Sequence, residues 1–324
     1  MQIDDSLATC ENKYLIHDAI NININKYYYP QSVINKLKSI NNLFQSPQSP
    51  PSLEKQRPRI AIIREEGSNG ECEMASAFDM AGFDTYDVAM TDFIFSEKTN
   101  KNILENFVGI AFVGGFSYSD CLGSGQGWYL TIKNNKWINN QFMEFFNRKN
   151  TFSFGVCNGF QLMTLLGVFN NNNNNYNYES QKIHENISKR FESRWVNVSI
   201  EKSNSIMLKD MENLTMGIWC AHRNGNITHY PRELTASTPI KFAKNYYPHN
   251  PNGSINGITS ICSPCGRHLG MMPHPERCFL NWQMPYNSYR NYDNNNDNYH
   301  NFEKEFSPWF LMFKNAYDWC INNN

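Results

Sequence analysis

The sequence predicts an α/β fold: a mostly parallel sheet with helices on both faces, and an additional region of antiparallel strands. Three observations predict it. Between residues 57 and 167, short apolar runs alternate with longer stretches of helical spacing, as strand–helix repeats on a parallel sheet require. Glycines stand where two of the helical stretches should stop, at Gly82 and Gly167. From residue 194 onward the apolar spacing moves toward a period of two, the mark of strands.

The first 56 residues stand apart. Residues 20–26 alternate Ile and Asn, 27–29 are tyrosines, and 46–52 are rich in Pro and Ser, which reads as a linker. A short helix over 33–43 fits between them. The expectation is therefore an extension or linker over 1–56, partly disordered, and a domain over 57–324. Within the domain, 59–64 is a mostly apolar strand, 71–81 a helix closed by Gly82, 83–88 a second strand and 108–113 a third. That third strand ends at Gly114-Gly115. The aromatic-studded stretch 136–148 reads as a helix burying Trp137, Phe142, Phe145 and Phe146. A strand over 151–156 runs into a helix over 158–166. Further strands are expected over 194–200, 216–221, 257–261 and 268–272. The turn Ser263-Pro264-Cys265-Gly266 separates the last two, and a helix over 308–321 closes the chain. Asparagine-rich segments near 170–178 and 291–301 read as solvated insertions, because such side chains bury too little apolar surface to offset the entropy lost on ordering.

With 324 residues the chain has room for one large domain with tails or for two modest ones. Its 29 basic and 30 acidic residues nearly cancel, which argues against nucleic acid as a partner and against an acidic regulator. Mean hydropathy is low at −0.59, largely through asparagine, but 14% aromatic residues leave ample material for a core. No basic stretch followed by an apolar run opens the chain, and runs such as 60–63 are too short to cross a bilayer. Nine scattered cysteines fit free thiols in a reducing compartment better than a disulfide framework. A soluble cytoplasmic protein, with no membrane partner, is expected.

The sharpest local feature is Gly155-Val156-Cys157-Asn158-Gly159, between a strand and a helix. This is a nucleophile-elbow pattern with cysteine in the central place. A sharp strand-to-helix turn crowds the backbone, so its flanks need glycine, and it lifts the central side chain to the carboxyl edge of the sheet. A helix N-terminus favours a thiolate there, and the Asn158 N–H points toward an oxyanion formed by attack of Cys157. A lone cysteine is more often a buried structural residue; the paired glycines and the strand–helix junction favour the nucleophile.

A nucleophilic thiolate needs a base, and the base an orienting group. Met272-Pro273-His274-Pro275-Glu276-Arg277 follows a strand, and its prolines hold the backbone extended. In an extended segment His274 and Glu276 project to one side and can meet. A lone His-x-Glu would ordinarily be two loop residues, and the elbow cysteine is what raises this one. Gly114-Gly115 at a strand end would let backbone amides approach a ligand, suiting the second half of an oxyanion hole; alone, such a pair is usually a turn. Cys262-x-x-Cys265 has no second ligand pair, and His222 and His229 near Cys220 make no convincing set, so no metal site is expected. No P-loop signature is present.

Cys157 in Gly-Val-Cys-Asn-Gly, Gln161 four residues on, and His274 and Glu276 in Pro-His-Pro-Glu-Arg together resemble the class I, or triad, glutamine amidotransferases. More narrowly, the chain resembles the amidotransferase domain at the C-terminal end of the large phosphoribosylformylglycinamidine synthases, over roughly residues 57–320. The resemblance also rests on Arg64-Glu65-Glu66-Gly67-Ser68-Asn69-Gly70, Gly114-Gly115-Phe116-Ser117-Tyr118, Arg190-Phe191-Glu192-Ser193-Arg194-Trp195, Asn250-Pro251-Asn252-Gly253-Ser254 and Ser307-Pro308-Trp309. It implies Cys157 as nucleophile, His274 as acid/base, Glu276 as its orienter, the N–H groups of Gly115 and Asn158 as oxyanion donors, and Gln161 as a substrate-binding residue. L-Glutamine would be hydrolysed through a thioester, with no cofactor, and the ammonia passed to an ATP-dependent synthetase, here on a separate chain.

Three positions depart from that pattern. His222-Arg223-Asn224-Gly225 stands where the family has His-Gly-Glu-Gly, and Gln126 stands where it has Glu. The chain also begins at its own Met1 without room for a synthetase, so 1–56 resembles the tail of the linker that precedes this domain. These departures keep two alternatives open: a truncated, non-catalytic relative acting as a binding or regulatory module, and another γ-glutamyl cysteine hydrolase of the same fold.

Overall fold

The computed structural model describes residues 31–45, 57–169, 183–228, 237–285 and 306–323. In chain order the first elements are α1 (Gln31–Gln45), β1 (Arg59–Arg64), α2 (Glu71–Ala81), β2 (Asp84–Ala89), α3 (Met90–Thr99) and β3 (Gly109–Phe112). Next come α4 (Gln126–Asn134), α5 (Lys136–Asn147), β4 (Phe152–Val156) and α6 (Asn158–Leu165). The strands β5 (His184–Glu185), β6 (Glu192–Ile200), β7 (Thr215–His222), β8 (Asn224–Asn226), β9 (Ile240–Phe242), β10 (Ser260–Cys262) and β11 (His268–Met271) follow, and α7 (Phe310–Asn323) closes the described chain.

The main sheet has the order β10-β11-β4-β3-β1-β2, parallel throughout except that β10 runs against β11. Its central strands are buried along their whole length, β3 as Gly-Ile-Ala-Phe and β4 as Phe-Ser-Phe-Gly-Val. Strands covered on both sides read as continuous apolar runs for this reason. The edge strand β2 instead exposes Tyr86 and Asp87.

Register decides which helix covers which face. Ala111 lies opposite Phe154 and Phe112 opposite Gly155, so Phe112 leaves one face while Phe152 and Phe154 leave the other. Phe152 meets Phe78 of α2 at 6.1 Å and Phe154 meets Phe313 of α7 at 6.2 Å. Phe112 meets Trp128 of α4 at 5.7 Å and Phe142 of α5 at 5.6 Å. Helices therefore cover both faces. Each such ring, buried whole, stabilises the fold by about 1.5–3 kcal/mol.

The antiparallel region is a three-stranded sheet, β7-β6-β9, with the small pair β5-β8 beside it. The two sheets are joined where the His274 N–H donates to Trp219 O at 2.9 Å. Helix α1 sets Val33, Leu37 and Ile40 into the common core, the i, i+4, i+7 spacing of one helical face. Its Asn41 accepts from the Phe306 N–H at 3.0 Å, and its Lys36 donates to Asn315 of α7 at 3.1 Å. The described part of the N-terminal extension is thus packed against the C-terminal helix.

Several expected elements shift. Helix α5 buries Ile138, Gln141, Phe142 and Phe145, while Trp137 and Phe146 flank that stripe and stay partly exposed. The strand expected over 257–261 begins only at Ser260, because Ile255–Gly257 forms a tight 3-10 turn with Asn256 at φ 54°. Helices α3 and α4 had no counterpart in the sequence reading. The Pro/Ser stretch 46–52, the asparagine-rich segments and His229 lie outside the described residues. No helix among the described residues is long and apolar enough to cross a membrane.

Candidate active site

Strand β4 ends at Val156 and α6 begins at Asn158, so Cys157 alone turns the chain. Its backbone stands at φ 53°, ψ −109°, a conformation L residues hold only where the surroundings enforce it. The Cys157 N–H donates to Met271 O at 2.9 Å, and its carbonyl accepts from the Gln161 N–H at 3.0 Å. Glycine is needed on both sides for space. A Cβ on Gly155 would lie 2.5 Å from the sulfur of Met163, and one on Gly159 would lie 2.2 Å from the carbonyl oxygen of Phe112. The turn brings the thiol to the carboxyl edge of the sheet, where Cys157 is buried with its sulfur 3.8 Å from Ala221 O.

His274 follows β11 and reaches the same place. A Cβ on Gly114 would lie 3.0 Å from Cε1 of His274 and 3.4 Å from Cβ of Cys157, so both side chains converge over that glycine. His274 Nδ1 lies 2.6 Å from Oε1 of Glu276, and both side chains are buried. The sequence reading placed this contact in an extended segment. Instead, Pro275–Arg277 forms a 3-10 turn, and the turn folds Glu276 back under the ring. Burial alone would push the pKa of His274 down; the Glu276 carboxylate and the Cys157 sulfur outweigh it and raise it to about 9. At neutral pH the ring carries both protons. Its Nε2 makes no hydrogen bond of normal geometry with the protein.

Gly115 follows Gly114, over which the two side chains converge, and Asn158 follows Cys157 itself. Gly115 stands at φ 120°, against Asn69 N, Gly67 O and Ser68 Cα, each within 2.7 Å of where a Cβ would sit. Among the described residues, neither the Gly115 N–H nor the Asn158 N–H has a backbone acceptor. Asn158 opens α6, where the first N–H groups have no partner inside the helix.

Gln161 is buried, and both ends of its amide are engaged: Nε2 donates to Asn224 O at 2.5 Å and Oε1 accepts from Asn158 at 3.1 Å. The departing loop at 222–225 is therefore tied to α6. Asn252 and Asn186 hold this loop in turn, Asn252 through His222 Nε2 and Gly225 O, and Asn186 through His222 O and the Gly225 N–H. His222 is pushed down to about 4 by burial, with the charge of His274 adding to the effect, so it is neutral. Arg223 turns out to solvent and pairs with Glu185 at 2.8 Å.

Sequence reasoning missed the residues that hold the site from behind. Asn252 lay in a quoted motif without a role, and Asn186 and Asp120 carried no signal, because their work depends on loops meeting in space. No group of three or more metal-ligating side chains exists among the described residues. Cys262 is buried, Cys265 is exposed, and all eight described cysteines are free.

Comparison with known proteins follows the same lines. Residues 57–320 match the family of CobB/CobQ-like glutamine amidotransferase domains. A probable phosphoribosylformylglycinamidine synthase, chloroplastic/mitochondrial, of Arabidopsis thaliana is 45% identical over 280 residues, covering 81% of this chain and 19% of that protein. The phosphoribosylformylglycinamidine synthases of Dictyostelium discoideum and Homo sapiens are 42% and 38% identical, each over 82% of this chain. The chain spans about a fifth of the length of these relatives. The structure of PurLQS from Thermotoga maritima superimposes with a TM-score of 0.60 at 20% identity, over 81% of this chain and 99% of that one, a likeness of fold. The chain belongs to the CobB/CobQ-like glutamine amidotransferase domain family, in the branch found within phosphoribosylformylglycinamidine synthases.

Proposed function

We propose that the chain hydrolyses L-glutamine to glutamate and ammonia through a thioester on Cys157, as the ammonia-supplying domain of a phosphoribosylformylglycinamidine synthase. The observation that carries this reading is the convergence of Cys157 and His274 over Gly114, with Glu276 hydrogen-bonded behind the imidazole. The turn at Cys157 acts as a nucleophile elbow.

The thiolate attacks the carbonyl carbon of the glutamine side-chain amide. The carbonyl electrons move to oxygen, and the Gly115 and Asn158 N–H groups receive that oxyanion. His274 gives its Nε2 proton to the amide nitrogen, the C–N bond breaks, and ammonia leaves. Water then attacks the γ-glutamyl thioester, His274 takes its proton, and collapse releases glutamate and the thiolate. Glu276 holds the Nδ1 proton throughout and stabilises the imidazolium. Gln161 and the 222–225 loop border the substrate. The ammonia serves an ATP-dependent synthetase, on a separate chain or elsewhere in a longer one. The competing non-catalytic reading draws on the His222–Gly225 change and on the missing synthetase; against the first of these, the Arg223 side chain is exposed and pairs with Glu185, while the Asn224 carbonyl beside it holds Gln161.

The test is labelling by 6-diazo-5-oxo-L-norleucine, read by intact-mass and peptide mass spectrometry. Cys157 should be labelled, glutamine should protect it, and Cys157→Ala should abolish the adduct. A folded chain left unlabelled at Cys157 would overturn the reading.

A further inference from the structure

The side chain of Asn158 is tied to a loop of unusual backbone. Tyr118, Ser119 and Asp120 follow one another at φ 52°, 53° and 53°. Residues with a Cβ enter this region singly, and a run of three persists only where neighbours hold it. Several neighbours hold it: the Tyr118 N–H donates to Glu66 O at 2.9 Å, the Gly123 N–H to Asp120 O at 2.9 Å, and the Tyr118 hydroxyl meets Thr131 Oγ1 at 3.1 Å, while the ties to the start of α6 run through Asn158. The Ser117 N–H donates to Oδ1 of Asn158 at 3.3 Å, and Nδ2 of Asn158 donates to Oδ1 of Asp120 at 3.2 Å. The other oxygen of Asp120 accepts from Ser124 Oγ at 2.9 Å.

The same loop begins at the second backbone donor. Phe116, which follows Gly115, donates its N–H to Gly67 O at 2.8 Å, and the Ser119 N–H returns to Phe116 O at 2.8 Å. Asp120 therefore sits at the far end of a short loop whose near end carries the Gly115 N–H. Among the described residues, the side chain that hydrogen-bonds that loop to the start of α6 is Asn158, and it belongs to the residue proposed to supply the second N–H. The bridge between Ser68 and Gly115 anchors one donor to the 67–69 segment; the Asn158 joint ties the far end of the same loop to the residue that carries the other. An oxyanion site tolerates little error, since a shift of about 1 Å can cost about a hundredfold in rate.

We propose that Asp120 is a positioning residue of the oxyanion hole: through Asn158 its carboxylate fixes the left-handed loop and with it the spacing of the Gly115 and Asn158 N–H groups. This rests on the glutaminase reading. Asp120 touches no reacting atom and acts through Asn158.

Two reagents on the full-length chain separate the role from a general loosening. 6-Diazo-5-oxo-L-norleucine presents a carbonyl to the donors, whereas methyl methanethiosulfonate, with no carbonyl, reads only the availability of the thiolate. Asp120→Ala should slow diazo-ketone labelling of Cys157 by about 10- to 100-fold, with the thiosulfonate rate at Cys157 within about twofold of the parent. Asp120→Asn keeps an acceptor for Asn158 and should recover most of the loss. If Asp120→Ala does not fold, Asn158→Ala cuts the same joint together with the bond to Gln161, keeps its own N–H, and is read by the same pair of rates. Diazo-ketone labelling at the parent rate in the folded variant, or equal slowing with both reagents, overturns the inference. A parent chain that the diazo-ketone does not label brings down the glutaminase reading and this inference together, whereas a labelled parent with an equally labelled variant brings down the inference alone.

Discussion

Oε1 of Glu276 lies 2.6 Å from Nδ1 of His274, while its other oxygen, equally buried, has no hydrogen-bond partner among the described residues. Its shortest contact is thus to the imidazole, whose charge and proton it holds, with the Arg277 guanidinium farther off at 3.7 Å. Glu276→Gln keeps the shape and removes the charge. We expect glutamine hydrolysis to fall by at least about a hundredfold, and alkylation of Cys157 at neutral pH to slow. Stopped-time mass spectrometry of the Cys157 peptide checks the second outcome without any turnover assay. Unchanged alkylation would show that the pair does not activate the thiol.

The raised pKa of His274 also sets a direction for stability against pH. The folded value, about 9, stands above the ordinary 6.5, so protonation favours the folded state. That contribution is complete below about pH 6.5 and is lost as pH rises through 9. Urea midpoints should fall across this window more steeply for the parent chain than for His274→Gln. Parallel slopes would contradict the assignment.

Packing of α1 gives a prediction away from the site. Leu37 is buried against the common core, and Leu37→Ala should cost about 2 kcal/mol, the low end for a buried leucine because the helix lies at the margin of the core. Chemical denaturation measures it. A change within error would mean that α1 does not pack there in solution.

Much of the fold could be read from the sequence because its central strands are mostly apolar and two of its helices, α2 and α6, run out at or just before a glycine. Glu71–Ala81 was legible to the residue, since Gly82 takes φ 116° at its end. Met90–Thr99 was not: it buries Met90, Phe93 and Ser96 only, a thin stripe that starts after Ala89, a residue whose side chain cannot cap. Gln126–Asn134 hid behind a glycine-rich approach that reads as loop. At the site, Cys157 and His274 were visible because turns of that kind demand particular residues nearby. Asp120 was invisible because Tyr-Ser-Asp carries no mark of a left-handed run, and only Asn158, 38 positions away, gives it a purpose.

The bond from the His274 N–H to Trp219 O has a wider consequence. Cys157 is fixed to the parallel sheet through Met271, whereas His274 is stitched to the antiparallel one. The gap between sulfur and imidazole is thus a reading of how two sheets are aligned, much as a vernier magnifies a small slip between two scales. Trp309, just before α7, is tied to the antiparallel sheet as well, its indole N–H donating to Gly217 O at 2.8 Å. Substitutions at Trp309 or Gly217, which touch neither reacting atom, should therefore change the alkylation rate of Cys157.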